Sequence, residues 1–242
     1  MRIAVETWRV GTTDAKGGSP VEIPAYLRQV YWWAYIHPRG VRLFDRQWVT
    51  NLILFGNFAR LREAALAEFG VPVTGRTLQV ACVYGNFTPK LAAKMAPDAT
   101  LDVVDIVPAQ LNNVAAKVPD GAAVALHRRD ATDLRFADGN FDQVVLFFLL
   151  HEQPEDVRRR SLAEAWRVLR PGGKLVIMDY HRPKWWHPLR YLFAPILRVL
   201  EPFALDLWRD EIGAWLPQPW ASRELDRRTF FGGLYQLVVF ER

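Results

Sequence analysis

The stretch at residues 78–89, LQVACVYGNFTP, constrains the fold most. Leu78, Val80, Cys82 and Val83 read as a short buried strand, and Gly85 with Asn86 as a tight turn. Thr88 suits a helix N-cap and Pro89 the first helical position, where its missing N–H costs nothing. A strand that enters a helix through a glycine turn opens a nucleotide-binding α/β sheet, with room for a ligand above the strand's carboxyl end.

The text downstream continues that sheet. Strands are expected at 77–83, 100–106, 123–127, 141–150 and 174–179, with helices at 88–95, 108–117 and 154–170. The uninterrupted apolar run from Phe141 to Leu150 is that of a central parallel strand buried on both faces. Pro171, Gly172 and Gly173 are expected to end the helix before the fifth strand, and 228–240 reads as a closing antiparallel hairpin broken at Gly232 and Gly233. The fold class expected is α/β, a doubly wound Rossmann-like sheet.

The flanks differ in kind. Ten tryptophans occur in 242 residues, and only Trp166 lies between Arg76 and Tyr180. Tryptophan favours places where one end is apolar and the other wet, so the flanks are the part expected to meet an apolar partner. Residues 1–24 read as a loose arm, followed by helical segments at 25–37, 42–55 and 58–69, rich in Tyr, Trp and Arg. Residues 1–70 are therefore expected to form an arm and helical cap, and 71–242 an α/β domain with a cap insertion at about 181–215. An arginine-bearing, Trp-rich layer suits a membrane-surface anchor or a substrate lid, and equally a layer packed on the sheet.

The net charge of +5 is modest and its cations are scattered, which disfavours nucleic acid as a partner. The single Cys82 excludes an intramolecular disulfide framework, and its predicted burial makes it a small core residue. No apolar leader opens the chain and no apolar run is long enough to span a bilayer, so a cytoplasmic protein, peripheral to the inner membrane, is expected. Oligomeric state is not legible.

Four stretches together carry a family pattern: Asp105 ending strand two, Asp130-Ala131 after strand three, FDQVVLFFLLHE, and WRVLRPGGKLVIMD. They resemble class I S-adenosylmethionine-dependent methyltransferases over residues 76–179. The resemblance implies that Asp105 and the neighbouring Ile106 hold the ribose. It implies that Asp130 and Ala131 meet the adenine, that Gly85 lets the backbone approach the methionyl end, and that Gln79, Ala81 and Phe148 complete the cofactor site. The first motif departs from the usual acid and three glycines: Gln79 stands for the acid, and Ala81 and Val83 for two glycines.

That departure, with YWWAYIHPRGVRLFDRQWVTNLILFGNF, LFFLLHEQPEDVRRR and the DYHRP segment, is similar to the rhodoquinone-biosynthesis (RquA) family. This second resemblance implies conversion of ubiquinone to rhodoquinone, a ring methoxy replaced by amino, with S-adenosylmethionine as amino donor and manganese (Mn2+) as Lewis acid. On that expectation the neutral Gln79 leaves the donor amine uncharged and nucleophilic. His151 and Glu152, with Asp179 and His181, are the metal candidates at two strand ends. Gln79, Tyr84, His151 and His181 are the catalytic candidates. A quinone or small-molecule methyltransferase is the alternative, and a silent quinone-binding protein a second.

Overall fold

A computed structural model describes residues 22–82, 84–119, 121–217 and 223–242. The loose arm expected at 1–24 falls almost wholly outside them. Short helices open the described chain: α1 (Ala25–Gln29), a π-helical turn (Trp32–Ile36), α2 (Pro38–Phe44), α3 (Gln47–Ile53) and α4 (Phe58–Ala67). The sheet elements follow as β1 (Arg76–Val80), α5 (Phe87–Ala92), β2 (Thr100–Asp105), α6 (Pro108–Ala115), β3 (Val124–Arg128), β4 (Phe141–Phe147), α7 (Glu155–Val168) and β5 (Leu169–Tyr180). Then come α8 (Leu189–Leu200), α9 (Asp206–Arg209), β6 (Glu224–Phe230) and β7 (Tyr235–Glu241).

Seven strands form one sheet in the order β3-β2-β1-β4-β5-β7-β6. The first five run parallel, and β7 inserts antiparallel between β5 and β6. The chain order reverses between β1 and β4, and ligands of open α/β sheets sit outside the strand ends at such a switch point. β4 lies between β1 and β5, and Val144, Val145 and Leu146 have no solvent exposure, as its continuous apolar text requires. The result is a Rossmann-like α/β fold whose N-terminal helices and post-β5 segment form an aromatic-rich helical cap.

Several boundaries correct the sequence expectations. β1 stops at Val80, because Ala81 adopts φ 70° and turns the chain out of the sheet. Cys82 is therefore buried in the loop beyond the strand. α5 begins at Phe87 with Asn86 as N-cap, and Thr88 instead sits buried inside the helix with its hydroxyl unpartnered. β4 stops at Phe147, since Phe148 takes φ 55° and feeds a 3-10 turn at Leu150–Glu152. β5 already begins at Leu169 and carries Pro171, Gly172 and Gly173 in a register shift against β4. The single helix expected at 42–55 is two, α2 and α3. At the break Asp45 is drawn toward Lys117, at 2.5 Å, and toward the amide of Gly85, and Thr50 Oγ1 donates to Phe44 O.

Gly85 is one position where glycine is required. It adopts φ 82°, and an added Cβ would lie 2.7 Å from the ring of Phe58. Its amide and carbonyl are held by Asp45 and Lys117, so the turn after β1 is tied to the helical layer above it.

Candidate functional site

Two cavities lie over the carboxyl ends of the strands. The narrower follows β1, β2 and β3 and is lined by Ala81, Cys82, Asp105, Ile106, Asp130 and Ala131 with Tyr26 and Leu27 of α1 across it. The larger, about 330 Å³, lies between the cap and the sheet, with Tyr84, His151, Glu152, Tyr180 and Glu201 among its walls. Tyr35, Cys82, Phe148 and Glu152 line both, so the two cavities share one wall.

The narrow cavity is lined by carboxylates and amides set at strand ends. Asp105 stands at the end of β2, buried, and accepts from the amides of Cys82 at 2.7 Å and Val107 at 2.8 Å. Those bonds fix the carboxylate toward the cavity while burial pushes its pKa up to about 6. Asp130 accepts from the amide and hydroxyl of Thr132, both through Oδ1. The side-chain oxygens of Gln110 and Gln153, two more lining residues, are buried without a hydrogen-bond partner. A carboxylate at a strand end, a second beside apolar Ile106 and Ala131, and two acceptors awaiting donors suit a ribose diol, a flat base and an amine.

The larger cavity holds buried titratable groups. His151 follows β4 in the 3-10 turn, 5 % exposed, and its Nδ1 lies 2.9 Å from Oδ1 of Asp179 on β5. Asp179 also accepts from the amides of Leu150 and Tyr180, so its oxygens are spent on holding the turn and the imidazole. With Nδ1 donating to the carboxylate, Nε2 is the free nitrogen, 3.8 Å from Glu152 Oε1. Burial alone would lower the imidazole pKa, but the charge and hydrogen bond of Asp179 raise it to about 9. Burial pushes Glu152 up to about 8, with the negative Glu201 adding and His151 opposing. Glu201, at the end of α8, is likewise raised by burial, with His151 and a hydrogen bond from the Tyr31 hydroxyl opposing. Aromatic rings complete the pocket: Tyr84 stacks on Tyr35 at 5.5 Å, and Phe148 packs edge-on against Tyr180 and His151.

The expected residues divide accordingly. Asp105, Ile106, Asp130, Ala131, Ala81 and Phe148 line the narrow cavity. His151, Glu152, Tyr84 and Phe148 line the larger, and Asp179 stands behind His151. The hydroxyl of Tyr84 donates to Ala34 O at 2.5 Å and accepts from Gln110, so it ties the cap to the sheet. Three expectations are displaced. Gln79 is fully buried and lines neither cavity; its amide donates to Ala81 O. Gly85 lines neither cavity; its amide and carbonyl are held by Asp45 and Lys117. His181 bonds Gly233 O through Nδ1, on the hairpin side, and does not join His151.

The manganese expectation fails on the donor set. Asp179 spends its oxygens on hydrogen bonds, His181 is elsewhere, and among the described residues no three His, Cys, Asp or Glu side chains converge as a metal centre needs. Sequence reading missed Glu201 and Tyr35. Both sit on cap elements, a π-helical turn and the end of α8, whose contact with the strand ends has no local spacing signal.

Residues 77–173 match the family model described as a methyltransferase domain. The chain is 33 % identical over 183 residues to the demethylmenaquinone methyltransferase of Beutenbergia cavernae, covering 70 % of this chain and 72 % of that one. It is 29 % identical over 211 residues to a methyltransferase of Synechocystis sp., covering 85 % and 92 %. Among solved structures, the Burkholderia thailandensis 1,6-didemethyltoxoflavin-N1-methyltransferase superposes with a TM-score of 0.57 at 18 % identity, over 95 % of this chain and 93 % of that one. These findings correct the expected amination of a quinone. The relatives are methyltransferases by name, and the metal that the amination was expected to need has no ligand set among the described residues.

Proposed function

Because the chain belongs to the class I S-adenosylmethionine-dependent methyltransferases, we propose that it transfers a methyl group to a reduced, quinol-type aromatic ring bearing an apolar tail. One observation carries the reading: a polar adenosyl-type cavity and an apolar aromatic cavity share the wall of Tyr35, Cys82, Phe148 and Glu152. S-adenosylmethionine, when bound, supplies an electrophilic methyl on a sulfonium.

The chain's own residues do the rest. Asp105 accepts from the ribose hydroxyls, and Asp130 with Ile106 and Ala131 frames the base. His151 Nε2 takes the proton of a ring hydroxyl and leaves a phenolate, whose charge activates the oxygen and the adjacent ring carbon alike. Asp179 fixes the imidazole tautomer and stabilises the imidazolium that forms. Glu201, which also lines the larger cavity, accepts from a second ring hydroxyl. A quinol presents two donors to these acceptors; an oxidised quinone presents none. The quinol class is supported by the demethylmenaquinone methyltransferase relative and by the rings of Tyr84, Tyr180 and Phe148 that line the larger cavity.

The test separates binding from chemistry. Titration with S-adenosylhomocysteine, followed by calorimetry, should give an affinity that Asp105→Ala weakens by at least tenfold and His151→Ala leaves within twofold. Equal loss in both variants would contradict the division of the site into two cavities.

A further inference from the structure

The geometry points to a docking face for an anionic phospholipid bilayer, built from α2, α3, α8 and the Trp185-Trp186 pair, with the mouth of the larger cavity opening in its midst. Apolar side chains stand in solvent there. Trp48 is 61 % exposed, Leu52 68 %, Trp185 74 %, Leu192 64 % and Val199 77 %. Monomeric soluble chains rarely leave so much contiguous apolar surface bare.

The mouth belongs to the same face. Leu52, Ile53, Phe55, Ile196 and Leu200 are each more than a third exposed, and each also lines the larger cavity. Phe55 and Phe193 meet across the two elements at 5.3 Å between ring centroids, so the end of α3 and α8 form adjoining lips. A water-facing entrance would carry polar side chains at its rim; this rim is aliphatic and aromatic.

Charge names the occupant. From Ile23 to Arg62 the sole acid is Asp45, which pairs with Lys117, and from His181 to Leu200 there is none. Exposed Arg39, Arg42 and Arg46 flank the first segment, and Arg182, Lys184 and Arg198 the second. Apolar residues ringed by cations and flanked by tryptophan match the interface of a negatively charged leaflet. A second copy would bring cations against cations. Among the described residues no helix is long and apolar enough to cross a membrane, so this face lies on the bilayer.

The docking face stands on exposure and charge alone. Its further consequence, that an apolar substrate tail remains in lipid while the ring enters the cavity, rests on the function proposed above. The full chain would be mixed with phosphatidylglycerol–phosphatidylcholine vesicles and with pure phosphatidylcholine vesicles, and sedimented. Binding is expected to favour the anionic vesicles by at least tenfold, to weaken with salt, and to show tryptophan quenching by brominated lipid. The triple variant Trp48→Ser, Leu192→Ser, Val199→Ser should lose at least tenfold in binding, and Arg198→Gln alone roughly fivefold. None of these residues lines the cavity, so S-adenosylhomocysteine affinity and turnover of a tail-less quinol should stay within twofold of wild type. Wild-type chain left in the supernatant would overturn the proposal, as would a concentration-dependent dimer that excludes vesicles. Vesicle binding without methyl transfer would leave the face intact and count against the proposed chemistry.

Discussion

At the scale of single residues, His151 decides the chemistry. His151→Ala should lower kcat/KM by about 10²- to 10⁴-fold, the worth of a positioned general base. In the wild type the imidazole must lose its proton to act, so kcat/KM should rise with pH with an inflection near pH 9. Asp179→Asn removes the charge that holds the proton on, and should move that inflection to lower pH while reducing the rate; a pH–rate profile of both proteins reads it. Ala81 carries a different cost. At φ 70° an alanine pays about 1–2 kcal/mol that glycine does not. Glycine's freer unfolded chain returns about 0.4–1 kcal/mol of that, so Ala81→Gly should stabilise by about 0.5 kcal/mol in urea unfolding. Asp105, Asp130 and His151, singled out in the sequence, line the two cavities because they stand at or just past the carboxyl ends of strands, a position that hydrophobic runs mark well. Gln79 and Gly85 lie outside both cavities because a motif position predicts backbone shape, not what the folded neighbours leave open.

At the scale of elements, the strands, the doubly wound sheet and the presence of an aromatic-rich helical cap were legible, and the breaks between the cap helices were not. Alternating apolar runs and helices dictate a parallel sheet, and the Gly232-Gly233 break gave the hairpin. The cap helices are short, several with five to seven residues, so periodicity has little to act on. Their positions depend on long-range ties instead. Lys117, at the end of α6, reaches Asp45 between α2 and α3 and the carbonyl of Gly85 after β1. The pair is about one-fifth exposed on each side, so solvent screens part of its attraction. Lys117→Met should destabilise by about 1–2 kcal/mol, chiefly by leaving Asp45 without its partner. Hydrogen exchange should show the loss in α2 and α3 and not in β4, whose amides are locked in the sheet.

At the scale of the whole molecule, the site makes the fold sensitive to alkali. His151 holds its proton more tightly folded than unfolded, so its contribution is complete below pH 6.5 and lost as pH rises through about 9. Glu152 is raised to about 8 by burial, so ionising it costs stability between about pH 4.5 and 8. Both act in one direction, and the melting temperature should fall from pH 6.5 to pH 9 while kcat/KM climbs. His151→Ala should flatten the alkaline part of that fall. A molecule that sacrifices stability where its chemistry quickens is one whose buried charges serve a ligand. The most direct measurement is the mass of the product formed by the purified chain from S-adenosylmethionine and a short-tailed demethylated quinol. The account predicts a product heavier by one methylene, formed in step with S-adenosylhomocysteine and absent with the oxidised quinone. An unchanged mass with cofactor bound, or any change other than one methyl gained, would contradict it.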